Sequence, residues 1–206
     1  MEIELERYKI MIFVVALSVI YVAIFYGVPN SADKMAFVPE KVLNGGWYRI
    51  FTFPFAHLDE MHLLENIVSI LVVGLITTEL KTEFYDFVVI YMSAGFLAVL
   101  PVFLVSSFSA VGASAAIYAG FGIVTQELAK FKLQAQIPLI IMSLVAFSKV
   151  FTAVLECGTK CEPFFFALKQ GGTHFTGLLM GVIGFRYMNN MSITPNNILR
   201  GVANDS

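Results

Sequence analysis

From Ile10 to Val28 the chain runs 19 residues without a charged side chain. A run of about 20 apolar residues matches the hydrocarbon thickness of a bilayer. Inside lipid such a run can satisfy its backbone only as a helix or in a closed barrel. Five further apolar stretches follow: residues 63–80, 87–105, 111–125, 137–155 and 172–188. The third carries Pro101, expected to kink it. The sequence therefore predicts an all-α membrane protein, a single domain over 1–206 built as a six-transmembrane-helix bundle. Composition agrees: 58% of residues are hydrophobic and 14% charged, against roughly 45–50% and about 25% in soluble domains. A net charge of −2 offers no basic surface for nucleic acid. Two cysteines are too few for a disulfide scaffold.

The first nine residues mix Glu2, Glu4 and Glu6 with Arg7 and Lys9. The apolar run behind them exceeds the about 7–15 residues of a signal h-region, which predicts an uncleaved first helix. One set of flanks holds Arg7, Lys9, Lys81, Lys130, Lys132, Arg186 and Arg200; the other holds Lys34, Lys41, Arg49, Lys160 and Lys169. The positive-inside rule then puts both termini in the cytoplasm. With no organelle-targeting segment in view, a prokaryotic cell membrane is the expected location. Helices two, four and six then all begin at the outer face. Lys149 falls inside the fifth span, where it either snorkels or faces a cavity.

Polar residues within spans are costly and each needs a reason. Asn66 precedes Glu79 by 13 residues, Ser114 precedes Glu127 by 13, and His174 precedes Arg186 by 12, or ~18–20 Å of helix. Three polar groups on three parallel helices thus share one depth. Their faces agree too. His62 and Asn66 are i,i+4, as are Ser114 and Tyr118. His174, Gly177 and Gly181 form one stripe, and Gly177-Leu-Leu-Met-Gly181 is a small-residue motif for close helix contact. Helix four answers with Gly112, Ala115, Ala116, Ala119 and Gly120. Such a contact would bring His174 to Ser114. Packing alone is the bland explanation of the glycines, and a lone buried serine often bonds only its own helix.

A serine hydroxyl becomes a useful nucleophile when a base takes its proton. His174 is placed to do so, and Tyr118 to stack on its ring. His62, Asn66 and the Ser114 N–H at a helix N-terminus are candidate donors to an oxyanion. With no carboxylate at this level, the arrangement is a dyad with the imidazole held by packing.

These motifs resemble the rhomboid family of intramembrane serine proteases. Gly112-Ala-Ser114-Ala115 resembles the family's G-x-S-G, with Tyr118 one turn later. His174-Phe-Thr-Gly177-Leu-Leu-Met-Gly181 resembles its H-x-x-G-x-x-x-G. His57-Leu-Asp-Glu-Met-His62-Leu-Leu-Glu-Asn66 resembles its H-x-x-x-x-H-x-x-x-N, and Trp47-Tyr-Arg49 its W-R element. The resemblance implies a rhomboid-like six-helix core and a Ser114–His174 dyad. It also implies an oxyanion hole of His62, Asn66 and the Ser114 N–H, with no metal or cofactor. Partners would be the lipid bilayer and other membrane proteins, whose transmembrane segments are cut near the outer face. A weak or inactive relative that binds transmembrane helices is the alternative.

Ala115 stands where the family has glycine, and its methyl is expected to push helix four slightly off helix six. Glu65, beside Asn66, faces either the headgroups or the site, where it would oppose an oxyanion. The aromatic stretch Trp47 to His57 reads as an interfacial anchor, with His57 structural. In the loop 156–171, Cys157 and Cys161 could pair, though i,i+4 within a helix is poor geometry for it. Gly171-Gly172 would give that loop hinge freedom, as a cap over the site or a plain connector. A zinc protease would show H-E-x-x-H, which is absent. A soluble hydrolase elbow fails because residue 116 is Ala, and a channel fails because polar residues thin out toward the inner half.

Overall fold

The computed structural model describes residues 2–105, 109–131, 134 and 136–202. Lys132, one of the charges used to orient the chain, lies outside them. Eleven helices are seen among the described residues: α1 (Glu2–Gly27), α2 (Ser31–Met35), α3 (Pro39–Leu43), α4 (Arg49–Thr52), α5 (Glu60–Glu79), α6 (Phe84–Leu97), α7 (Leu100–Val105), α8 (Ser114–Lys130), α9 (Gln136–Ala146), α10 (Ser148–Cys157) and α11 (Glu162–Val202). A 3-10 turn covers Phe53–Phe55. The only strand-like feature among the described residues is an isolated antiparallel bridge between Phe37 and Ala110.

α8 is the central helix, packed by α5, α6, α9 and α11. Its small residues allow this: Ala115, Ala116, Ala119 and Gly120 are all buried. A side chain at Gly120 would run into Val73 of α5, and one at Gly95 of α6 would press on Ala116. α1 lies on α5 through the stripe Ile10, Val14, Leu17 and Tyr21, spaced at helical period. Val14 fills the space over Gly74, and the buried hydroxyls of Tyr21 and Tyr91 meet at 3.3 Å to tie α1 to α6. The other faces are apolar and exposed: Ile12, Val15 and Val19 on α1, and Ile137, Ile140, Ile141 and Leu144 on α9. Such surface suits lipid rather than water.

Three stretches are long and apolar enough to cross a membrane: Tyr8–Gly27, Glu60–Glu79 and Gln136–Cys157. α6 is a shorter apolar helix. The expected boundaries shift in several places. The third stretch breaks at Ala98 and Val99, and Pro101 sits in the first turn of α7, where its missing N–H costs nothing. The fourth begins only at Ser114, because Gly112 takes φ +100°. The fifth is interrupted at Phe147. α11 starts ten residues before the expected 172, so much of the supposed loop 156–171 is helix.

The long connection after α1 is anchored by Arg49. Its side chain is buried, and Nη1 donates to the carbonyls of Asp33 (3.0 Å) and Ala36 (2.9 Å). Thr52 donates to the Met35 carbonyl. Phe37, Phe53 and Val99 form a small second core beneath it. The Phe53 carbonyl accepts from Gly112 N–H at 2.9 Å, so this connection also holds the segment leading into α8. Trp47, by contrast, is exposed. Arg49→Ala should leave two part-buried carbonyls without their donor. A loss of about 2 kcal/mol, or roughly 4–8 °C in Tm for a chain of this size, is expected. Trp47→Ala should change Tm by less than about 2 °C, as exposed substitutions usually do. Thermal unfolding in detergent checks both.

Candidate active site

Gly112 turns the chain into α8, and Ser114 becomes the first residue of the helix. Its backbone N–H is therefore one of the free donors of a helix start. α11 lies against α8 at backbone contact distance. A Cβ at Gly177 would overlap the Ala115 carbonyl, and one at Gly181 the Ala119 carbonyl. On α8, a Cβ at Gly122 would meet the Leu178 carbonyl and lie 2.9 Å from Gly181 Cα. This approach carries the His174 ring to Ser114: Nε2 and Oγ are 2.8 Å apart. Ala115 does not hold the helices apart, because its backbone rather than its methyl faces Gly177. Tyr118 stacks on His174, with centroids 4.5 Å apart and planes at 14°.

One support of the imidazole has no side-chain signature. The His174 ring's backbone partner is Ala146, the last residue of α9. The break at Phe147 ends α9 there. Gly171 lets α11 pass close to that break, since a Cβ would sit 2.6 Å from the Phe147 ring. Gly171 and Gly172 thus lie inside α11 rather than at a hinge before His174, and Gly171 is a close-packing point.

His62 comes from the first turn of α5, whose N-cap Asp59 accepts from the His62 N–H at 2.8 Å. Its ring covers Gly112: a Cβ there would lie 2.7 Å from both Cε1 and Nε2. Leu58 N–H donates to His62 Nδ1 at 3.5 Å, which leaves the proton on Nε2, the nitrogen over Gly112. Asn66 is buried one turn on, its Nδ2 donating to the His62 carbonyl at 2.7 Å. His57 is buried behind His62, 5.2 Å from it and 5.2 Å from the Tyr21 ring.

Two cavities flank the Ser114–His174 pair. One, of about 430 Å³, lies between the connection after α1, the segment 109–112 and α11. The other, of about 410 Å³, lies between α5, α8 and the α9–α10 break. Asn66 and Tyr118 line the second only. Glu65 and Lys149 line both, so both side chains face the cleft. Cys157 and Cys161 form a disulfide, with Cα atoms 6.0 Å apart. They are not on one helix: α10 ends at Cys157, and Gly158, at φ +75°, turns the chain toward α11. Among the described residues no group of His, Cys, Asp and Glu is placed to hold a metal ion.

The family model of the Rhomboid domain matches residues 44–189, and the chain belongs to the rhomboid family. This is a family of integral membrane proteins, generally intramembrane serine proteases that act on membrane-protein substrates in the bilayer, with inactive members among them. No curated protein matches the chain.

Two expectations follow from the geometry. Gly181→Val should force α11 off α8, because backbone carbonyls cannot yield as a side chain can. Tm should fall by about 2–12 °C, given the roughly 1–3 kcal/mol cost of overpacking, and labelling of Ser114 by a serine-directed probe should fall with it. His57, in the loop before α5, has its pKa lowered to about 4, first by burial and then by His62, against an opposing Phe55 backbone bond. The folded protein therefore binds fewer protons here than the unfolded chain, whose histidine titrates near about 6.5. Stability is complete above that value and falls as pH drops from there toward 4. Unfolding curves of wild type and His57→Phe across this window should diverge, with the variant losing less stability.

Proposed function

We propose that the protein is an active intramembrane serine endopeptidase that cuts transmembrane segments through a Ser114–His174 dyad. The observation that carries this reading is the 2.8 Å contact between Ser114 Oγ and His174 Nε2 in a cleft that can admit a peptide. Ser114 Oγ attacks the scissile carbonyl while His174 Nε2 takes its proton. The same nitrogen then gives that proton to the departing amine. Water enters, His174 removes its proton and returns it to Ser114 Oγ as the acyl–oxygen bond breaks, which releases a new carboxylate and restores the serine. The ring must be held in place, which stacking on Tyr118 and the Ala146 backbone favour. His62 Nε2–H, the second N–H of Asn66 Nδ2 and the Ser114 N–H are the donors assigned to the oxyanion. Gly112, Gly177 and Gly181 act through the backbone positions they allow.

The membrane arrangement belongs to the same proposal. Six passes, formed by α1, α5, α6–α7, α8, α9–α10 and the 172–188 part of α11, leave both termini in the cytoplasm. The dyad then lies toward the outer face of a prokaryotic cell membrane. A disulfide at the α10–α11 turn supports this orientation, because disulfides persist in oxidising compartments. Hydrolysis in this cleft asks for no cofactor.

A fluorophosphonate probe should label the wild type in detergent and fail on Ser114→Ala and His174→Ala. The same two variants should abolish cleavage of a transmembrane substrate in liposomes. His62→Ala and Asn66→Ala should each slow cleavage by about 10²–10³ while leaving Tm nearly unchanged. Cleavage that survives Ser114→Ala would rule the dyad out.

A further inference from the structure

Six residues line both cavities: His62, Glu65, Ser114, Lys149, Gln170 and His174. The two cavities are therefore one cleft, pinched where these side chains meet. Three of the six are accounted for by the proposed chemistry. Glu65, Lys149 and Gln170 are not.

They come from three walls of the pinch. Glu65 is on α5, one residue before Asn66. Lys149 is on α10, just past the break that ends α9. Gln170 is on α11, one turn before His174. Lys149 is close enough for its charge to act on both His62 and His174, and that of Glu65 acts on His62. No ion pair joins Glu65 to Lys149 among the described residues. Gln170 Oε1 is buried without a partner among them. Charges at this depth are costly in lipid and are normally kept where they meet a partner or a ligand.

We infer that Glu65 and Lys149 select the substrate: the segment laid over Ser114 carries an acidic side chain beside its scissile bond, taken by Lys149 and repelled by Glu65. The inference rests on the cleft being the substrate site, as proposed above. A segment over Ser114 must run through the pinch with an opposite charge on each side. An aspartate or glutamate can then lie toward α10 but not toward α5. That asymmetry fixes the direction and register of the segment, and so the bond presented to Ser114. Gln170 Oε1 is free to accept one backbone N–H of the extended segment. An ammonium on a flexible stem suits a carboxylate whose position varies by a residue between substrates.

The test uses transmembrane peptides with a small-residue core in which one Asp, Asn or Lys is moved through the positions around the cut. Binding to full-length Ser114→Ala in nanodiscs is measured first, then cleavage by the wild type in liposomes. At one or two neighbouring positions the Asp peptide should bind about tenfold tighter than the Lys peptide, the scale of one charge-assisted contact. Lys149→Glu on the Ser114→Ala background should reverse that ratio. Lys149→Gln should level it, and Glu65→Gln should broaden the positions at which Asp is accepted. Equal binding of Asp and Lys peptides at every position would overturn the inference. So would a Lys149→Gln variant that slows cleavage of all peptides by one common factor, since that marks a general electrostatic effect. Charge-dependent binding without cleavage keeps the inference and removes the protease reading. Cleavage without charge dependence does the opposite.

Discussion

The close contact of α8 and α11 is the constraint on which the rest of the molecule depends. Gly177 and Gly181 lie directly against the Ala115 and Ala119 carbonyls, and Gly122 against Leu178 and Gly181. In a bilayer no water is released when two helices meet, so association rests on dispersion and backbone approach. That approach is available only where side chains are absent. The same contact sets the distance from His174 to Ser114, because both residues sit within one turn of it. Helix packing and the Ser114–His174 distance therefore share a single set of glycines. A change that loosens the packing also breaks the hydrogen bond between the two side chains.

Around this contact, the segment leading into α8 is held from outside the bundle. Arg49 ties the long connection to the carbonyls that end α2, and Phe53 accepts from Gly112 N–H. Gly112 can then take its positive φ and leave room for the His62 ring. The Arg49 side-chain bonds and the Phe53–Gly112 backbone bond thus both hold the segment that leads to Ser114. A buried arginine far from Ser114 contributes to where the helix starts.

Much of this was legible in the sequence, and the reason is spacing. Polar residues at matched distances from the charges at the far helix ends have few ways to sit in parallel helices, so Ser114, His174 and Asn66 converge. Glycines at i and i+4 name the face that packs. What could not be read was backbone. The Ala146 partner of His174 depends on where α9 breaks, and no side chain there announces it. Gly171 and Gly172 read as a hinge because glycine is flexible in isolation; inside α11 the use of Gly171 is closeness to Phe147. Cys157 and Cys161 read as an unfavourable pair only while one helix was assumed to hold both. The direction of Glu65 was equally open, because a residue beside Asn66 can turn to either flank.

The charged and strongly polar groups of the bundle divide by position. Where the proposed inner ends of the helices meet, they satisfy one another: Glu127 pairs with Lys130 at 2.9 Å, Gln126 accepts from Arg186 at 2.7 Å, and Lys130 lies over the Phe185 ring. These contacts close that end of the α8–α11 seam. At the other end Glu65 and Lys149 face an open cleft beside Ser114 and His174. A conduction path would need polar lining to continue through the depth of the bundle. Here the buried positions of α8 between Tyr118 and Thr125 are alanine, glycine, isoleucine and valine. A cleft that is wet at one end and packed at the other can admit water to a bond without passing anything across. That division of polar groups fits hydrolysis, and it is written into the same helix that supplies the serine.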